Sequence, residues 1–463
     1  MTPWQEFYNS IRDPSWPDCE SEPDFKLLPE HIKTECQQVH GYRHGEYASQ
    51  SALAHKVFPI KTATACQLKW NWSTIYLTTE NTASCHRTNH HKFDTTVFDF
   101  HNTPSKLADR QQMLDGQWPT AGCEYCQKIE DAGGQSDRIT NLDMPGIHAP
   151  VELNTDPTAI NVTPRILEVY FNNTCNLKCV YCGPMFSSLW DAENRKHKPI
   201  TVLGQEIFQP FTPSKNIEKN KLKLFDWLRT NGQYLTNFNV LGGEPLFQNE
   251  FDECLELFEQ HPAPDLDLQI FSNLNAKSSR VIDLISKVRR MIDRGSIKNF
   301  TVTASLDCWG DPQEYARYPL DLVQWEKNFN LLLAEPWIKL VIGSTITPLT
   351  IGTLDQLMER VKQWNQIRPV YQYFNSVNNP SYMYIDIFGS LFEDQFERCL
   401  GLAADSTVKH YLEGIALQSK HTGINSAEIT KLHAVLTELD HRRNTDWRTT
   451  FPWLVKAVDQ NIQ

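Results

Sequence analysis

The sequence predicts an α/β protein built on a mostly parallel sheet. Apolar runs of strand length recur through residues 165–390, amphipathic helical stretches separate them, and a cysteine-rich segment with little regular core precedes them. Strand–helix alternation over such a length forms right-handed βαβ units. Five or six units make either an open sheet or a partial barrel, and periodicity alone does not choose.

The elements follow in order. Residues 1–50, rich in Pro, Trp and Glu, read as an extended arm. Residues 51–160 carry short apolar bursts (TIYLTT, TTVFDF), many Asn, Thr and His, and one helical pattern near 104–115. That segment lacks the core to stand alone, a deficit that a metal site offsets. Strands are predicted at Ile166–Phe171, Phe238–Leu241, Leu266–Phe271, Phe300–Leu306 and Ile338–Ile346, then at Val370–Phe374 or Tyr382–Ile387. Phe251/Cys254/Leu255/Phe258, Val281/Leu284/Ile285/Val288 and Leu354/Leu357/Met358/Val361 each follow the i, i+3, i+4, i+7 spacing of a buried helix face. Residues 391–463 read as a helical extension, with Leu400, Val408, Tyr411, Leu412 and Ile415 on its face and FPWL (451–454) docking its end.

The 463 residues correspond to about three domains. A net charge of −12, with no basic run, argues against a long nucleic acid as partner. Mean hydropathy is −0.47, and no apolar stretch is long enough to span a membrane. The opening MTPWQEFYNSIRDPSWPDC has neither a basic start nor an apolar run, so a cytoplasmic chain is expected. In that reducing compartment, clustered thiols point to metal or redox chemistry. Of twelve cysteines, five form two tight clusters, Cys123/Cys126 and Cys175/Cys179/Cys182. Cys19, Cys36, Cys254, Cys308 and Cys399 are scattered and read as structural.

Cys175, Cys179 and Cys182 lie at C-x3-C-x2-C spacing directly after the first predicted strand, in RILEVYFNNTCNLKCVYCGP. Three thiolates on one loop can each ligate one iron of a cubane cluster, leaving the fourth iron open for chemistry. Zinc, or three unrelated thiols, is the alternative. The loop falls at the C-terminal end of a strand, where α/β sheets place their active sites.

This triad resembles the signature of the radical S-adenosylmethionine (SAM) superfamily. The next strand ends in NVLGGEPLF, so Gly242-Gly243-Glu244-Pro245 matches that family's GGEP motif. The resemblance covers residues 165–390 and implies a partial (β/α)6 TIM-like barrel. It places Tyr181 beside the adenine, and Gly242, Gly243 and Glu244 at the methionine end of SAM. Ser272 and Asn273 after the third strand, with Ser305, Asp307 and Arg317 after the fourth, correspond to contacts with the ribose and methionine carboxylate. From the residues alone, Ser272 and Asn273 also suit a turn, and Arg317 suits an ion pair with Glu314.

Cys66, Cys85, Cys123 and Cys126 make a complete set of four thiolates for zinc or for a 4Fe-4S cluster, with His86, His90 and His91 nearby as competing donors. Their order is similar to that of the twitch module, a shortened SPASM-like domain holding one auxiliary 4Fe-4S cluster, although that module usually follows the core rather than preceding it. The resemblance thus implies a cytoplasmic radical SAM enzyme with two 4Fe-4S clusters. Such an enzyme cleaves SAM to a 5′-deoxyadenosyl radical, abstracts a substrate hydrogen and oxidatively modifies a peptide or protein. Its electron donor is of flavodoxin or ferredoxin type. A small metabolite, sugar or nucleotide is the alternative substrate, and a zinc-stabilised nucleotide-binding interaction protein is the non-enzymatic alternative. Trp4, Phe7, Tyr8, Trp16 and Phe25 of the arm are expected to pack on the core or, with the cysteine module, to wall a substrate cavity.

Overall fold

The structure is a computed structural model. It describes residues 64–120, 122–131, 136–140, 159–202, 204–377, 379–403 and 406–462. The predicted arm, with Trp4, Phe7, Tyr8, Trp16 and Phe25, and with Cys19 and Cys36, lies outside the described residues. The chain divides into two compact units that part after Glu168, the first also taking in Tyr234–Phe238.

In the first unit, α1 (Gln67–Asn71) runs into β1 (Trp72–Tyr76), which pairs antiparallel with β2 (Asn81–Ala83). β3 (His91–Lys92) extends the hairpin, with Thr82 opposite His91. The TIYLTT burst supplies β1, whereas TTVFDF forms turns. There Asp94 accepts from the Thr96 amide at 2.7 Å, and Phe98 meets Phe93 and Phe100 edge to face. α2 (Pro104–Leu114) starts where its sequence says it should: Thr103 caps it through the Lys106 amide, and Pro104 fills the first turn. α3 (Glu124–Asp131) and α4 (Asp137–Thr140) follow.

The strand–helix part begins with β4 (Ile166–Tyr170), α5 (Ser188–His197), the hairpin β5 (Ile200–Val202) and β6 (Gln205–Ile207), and α6 (Ile217–Asn231). It continues through β7 (Asn237–Leu241), α7 (Asn249–Gln260), β8 (Asp267–Ser272), α8 (Ser278–Asp293), β9 (Asn299–Ser305), α9 (Asp311–Ala316) and α10 (Leu322–Leu333). β10 (Ile338–Ile346), α11 (Leu354–Ile367) and β11 (Val370–Ser376) complete it. The strands run side by side in chain order, β4-β7-β8-β9-β10-β11. β8 with β9, β9 with β10 and β10 with β11 are parallel, with Phe271 beside Thr303 and Ala304 beside Ile342. The molecule is therefore a mixed α/β protein with a mostly parallel sheet.

The helices bury the faces that their spacing predicts. α7 buries Phe251, Cys254, Leu255 and Phe258, α8 buries Val281, Leu284 and Val288 but leaves Ile285 half-buried, and α11 buries Leu354, Leu357, Met358 and Val361. Cys254, Cys308 and Cys399 are buried, as scattered cysteines usually are.

Two expectations need correction. Tyr382–Ile387 is no strand: it lies in two 3-10 turns, Ser381–Met383 and Ile385–Ile387, and Val370–Ser376 takes the edge position. Nor do Leu400 and Ile415 share one helix, because α12 (Glu393–Leu402) ends before α13 (Ser406–His421) begins. α14 (Ser426–Arg443) ends at left-handed Asn444 and leads through α15 (Trp447–Thr450) to α16 (Pro452–Asn461), which FPWL opens. Trp453 docks that end. Its indole N–H donates to the Pro348 carbonyl at 3.0 Å, and its ring fills the space where a Cβ on Gly352 would stand. No helix among the described residues is long and apolar enough to cross a membrane.

Candidate functional site

The Cys175–Cys182 loop leaves the C-terminal end of β4 and is held from several sides. The Cys175 amide donates to Ser188 Oγ at 3.1 Å, and the Trp190 indole donates to the Cys179 carbonyl at 2.7 Å. At the end of α9 and just beyond it, the Ala316 and Tyr318 carbonyls accept from the Val180 and Lys178 amides at 2.8 and 2.7 Å. Cys179 is buried, while Cys175 and Cys182 are half-buried. Burial pushes all three upward in pKa, joined by the neighbouring thiols at Cys175 and Cys182 and by Asp307 at Cys179; Cys182 reaches about 12. These thiols become thiolates only against a compensating cation.

The Gly242-Gly243-Glu244 turn is the floor of this loop. Gly242 and Gly243 take φ of +77° and +60°. A Cβ at Gly242 would stand 2.3 Å from the Tyr170 ring, and one at Gly243 would stand 2.3 Å from the Thr174 carbonyl. Only glycine meets both demands. The Glu244 amide then donates to that same Thr174 carbonyl at 2.8 Å, fixing the residue just before Cys175.

The Glu244 side chain is buried and fully engaged. It accepts from Ser272 Oγ at 2.7 Å, the Asn273 amide at 2.6 Å and the Leu246 amide at 3.1 Å. Burial lifts its carboxyl from 4.5 to about 7 against the pull of those three donors. Ser272 and Asn273 also shape a turn, Ser272 Oγ accepting from the Leu274 amide and Asn273 Oδ1 from the Asn275 amide. Asn273 Nδ2 bonds Asn176 Oδ1 at 2.9 Å and lies 3.9 Å from Cys175 Sγ. Glu244, Ser272 and Asn273 thus form one chain of contacts ending at the first cysteine.

A second chain ends at the other side of the loop. Asp307 is fully buried and takes a two-point ion pair from Arg317, the Tyr181 hydroxyl and the Thr345 amide. Arg317 Cζ lies 5.6 Å from the Tyr181 ring centroid. Glu314, the expected partner of Arg317, instead accepts from the Leu322 amide. Ser305 closes β9 half-buried, beside Gly343 of β10.

Sequence reasoning missed what backs Cys179. Arg443, from the far end of α14, pairs with buried Glu193, 250 residues away in sequence. Its guanidinium carbon lies 4.7 Å from the Trp190 ring centroid and 5.3 Å from that of Tyr318. Lys178 shares Glu193. No local signal betrays a contact of that range.

In the other unit, Cys66, Cys85, Cys123 and Cys126 line one small cavity together with Lys69 and Arg138. Cys66 heads α1 and Cys126 sits in α3. Gly122 (φ +94°) lets the C-x2-C turn lie against the Cys85 turn, since a Cβ there would stand 2.6 Å from the Arg87 carbonyl. Burial and the neighbouring thiols raise Cys66, and burial raises Cys123 to about 12. The histidines are engaged elsewhere: His86 faces Asp137, His90 stacks on Tyr76, and His91 bonds Thr103. Among the described residues, no three Cys, His, Asp or Glu side chains converge so as to hold one metal ion.

No protein-family model and no curated protein matches the sequence. Among solved structures, the chain is similar to SuiB of Streptococcus suis bound to the precursor peptide SuiA: 13% identity, TM-score 0.32, 63% of this chain and 51% of that one. It is similar to anSMEcpe with bound AdoMet and Kp18Cys peptide, at 15% identity and TM-score 0.34 over 56% and 62% of the two chains. SuiB bound to S-adenosylmethionine gives 14%, 0.33, 67% and 63%. The chain spans between about half and just under two thirds of the length of these proteins.

Proposed function

We propose that this protein is a radical SAM enzyme whose Cys175, Cys179 and Cys182 hold a 4Fe-4S cluster. One observation carries the reading: a three-thiol loop at the C-terminal end of β4, in a mostly parallel sheet, floored by a Gly-Gly-Glu turn that only glycines permit. The donor set fits the group. A cubane asks each sulfur for a different iron, and three thiols on one loop supply three of its four ligands, whereas a structural zinc takes four.

Bound there, a cluster would supply the single electron for reductive cleavage of SAM, the chemistry by which this class of enzyme takes a substrate hydrogen. The chain's own residues do the positioning. Gly242 and Gly243 open backbone beside the loop for the methionine end of SAM, and Glu244 holds Ser272 and Asn273 facing it. Asp307 locks Arg317 and Tyr181 in place for the carboxylate and adenine, with Ser305 at the same strand edge. Such locking keeps reacting atoms within the narrow range that hydrogen transfer requires.

Cys66, Cys85, Cys123 and Cys126 belong in this proposal as the ligands of an auxiliary 4Fe-4S cluster in a twitch-like module. Four thiols lining one shared cavity make a complete ligand set for such a cluster. A peptide or protein is the proposed substrate, with a flavodoxin- or ferredoxin-type donor. The acidic chain supports the exclusion of long nucleic acids.

The test is anaerobic reconstitution with iron and sulfide, followed by assay of 5′-deoxyadenosine with and without candidate peptides, small metabolites and nucleotides. The expected protein is brown and cleaves SAM when reduced. A colourless zinc protein that leaves SAM intact would overturn the proposal.

A further inference from the structure

Helix α2 carries two basic residues on its buried face, Lys106 and Arg110, in line with Met113, which forms part of the wall of the four-cysteine cavity. Both are wholly buried. Lysine and arginine reach such positions almost only when paired with an anion. Here every hydrogen-bond partner among the described residues is neutral. Lys106 Nζ donates to the Ala83 and Phe100 carbonyls at 2.9 Å, to Thr82 Oγ1 at 2.8 Å and to Ser73 Oγ at 2.7 Å. Arg110 donates to the Lys69, Ile160 and His101 carbonyls and to Asn102 Oδ1.

The protonation state of Lys106 follows from counting donors. Two of its partners are carbonyls, which only accept. Thr82 spends its single hydroxyl proton on the Thr74 or Phe100 carbonyl, so towards Lys106 it only accepts as well. Three acceptors call for three N–H groups, which is the ammonium. Yet burial, with Arg110 and Lys69 near, drives Lys106 well below its usual range. Among the described residues, Asp99 is the carboxylate whose charge reaches both Lys106 and Arg110, and the Cys85 sulfur also reaches Lys106.

The other buried cations of this unit have their own carboxylates, Lys69 with Asp109 and Arg138 with Glu130. Lys106 and Arg110 share only Asp99, which hydrogen-bonds to neither, so one positive charge of the pair is unmatched among the described residues. Both touch backbone that leads to the cysteines: Ala83 lies two residues before Cys85, and Lys69 three after Cys66. Four thiolates on an oxidised cubane carry a net charge of about −2, and one-electron reduction takes this to about −3.

We propose that Lys106 and Arg110 are the built-in counter-charge of the cluster held by Cys66, Cys85, Cys123 and Cys126, and that they hold its reduction potential up. The inference rests on the cluster reading of those four cysteines. A fixed cation in a low-dielectric interior stabilises the more negative, reduced form. The zinc alternative gives the pair a charge to balance but no potential to set.

The test uses the full-length chain with Cys175, Cys179 and Cys182 replaced by Ala, so that only the second cluster remains. Dithionite supplies the single electron, and the reduced cluster is counted by EPR in a mediated titration. In Lys106→Met, the reduced-to-oxidised ratio at the parent's midpoint should fall at least tenfold, 59 mV for a one-electron couple. Arg110→Gln, which keeps amide donors in place, should shift the same way and serves if Lys106→Met does not fold. Four irons per chain with an unmoved midpoint in either variant overturns the inference alone. Zinc in place of iron overturns the cluster reading, and the inference with it.

Discussion

Arg317 and Asp307 meet at two points, Nε to Oδ2 at 2.7 Å and Nη2 to Oδ1 at 2.8 Å, around a carboxylate with no exposure to water. Removing the guanidinium strands that carboxylate with only the Tyr181 hydroxyl and the Thr345 amide. We predict that Arg317→Ala costs about 3–5 kcal/mol of stability, the usual penalty for an orphaned buried charge. Arg317→Gln combined with Asp307→Asn should cost less than Arg317→Ala alone. Urea unfolding of the three proteins checks this, and equal costs would mean that the pair is worth no more than its volume.

Gly243→Ala is predicted to strike the first cysteine loop alone. The new methyl would meet the Thr174 carbonyl at 2.3 Å in a backbone conformation that alanine resists. Iron should fall from about eight to about four per chain, the loss confined to the triad's signal in EPR. Gly401→Ala, where a Cβ meets nothing within 4 Å, is the control and should keep its full iron.

Replacing Cys175, Cys179 and Cys182 together with Ala should abolish 5′-deoxyadenosine formation and leave about four irons on the other set. Product formation that persists in this variant would refute the assignment of SAM cleavage to the triad.

Glu244 makes stability depend on pH in a stated direction. Its carboxyl is raised from 4.5 to about 7 in the folded chain, so between those values the folded state holds more proton than the unfolded one. Stability should therefore fall as pH rises through that window, by at most ~3 kcal/mol from this group. Denaturant midpoints at pH 5 and pH 8 test it. The difference between wild type and Glu244→Gln should carry that slope, and parallel pH profiles would show that the carboxyl titrates normally.

Much of the parallel sheet was legible because its information is local and repeated. Ile338–Ile346 is apolar at Ile338, Leu340, Val341, Ile342 and Ile346 and forms a strand with those bounds. The Gly-Gly-Glu turn was legible for a different reason: two successive left-handed residues leave glycine little competition. Tyr382–Ile387 misled because a short apolar run looks alike in a strand and in successive tight turns. Lys106 and Arg110 were invisible as a buried pair, since two basic residues four apart normally mark the wet side of a helix. Arg443 was beyond any window, its partner Glu193 being 250 residues away.

The distance between Arg443 and the cysteines it backs sets an order of events during synthesis. A nascent chain that has emerged as far as β11 already displays Cys175, Cys179 and Cys182. It still lacks the cation that pairs with Glu193 and covers Trp190. Chain growth is slow compared with helix formation, so for some seconds the thiols stand on a loop without its rear support. On the proposed cluster reading, iron delivered in that interval would meet a loose site that oxidants also reach, so loading would be best left until translation has passed α14.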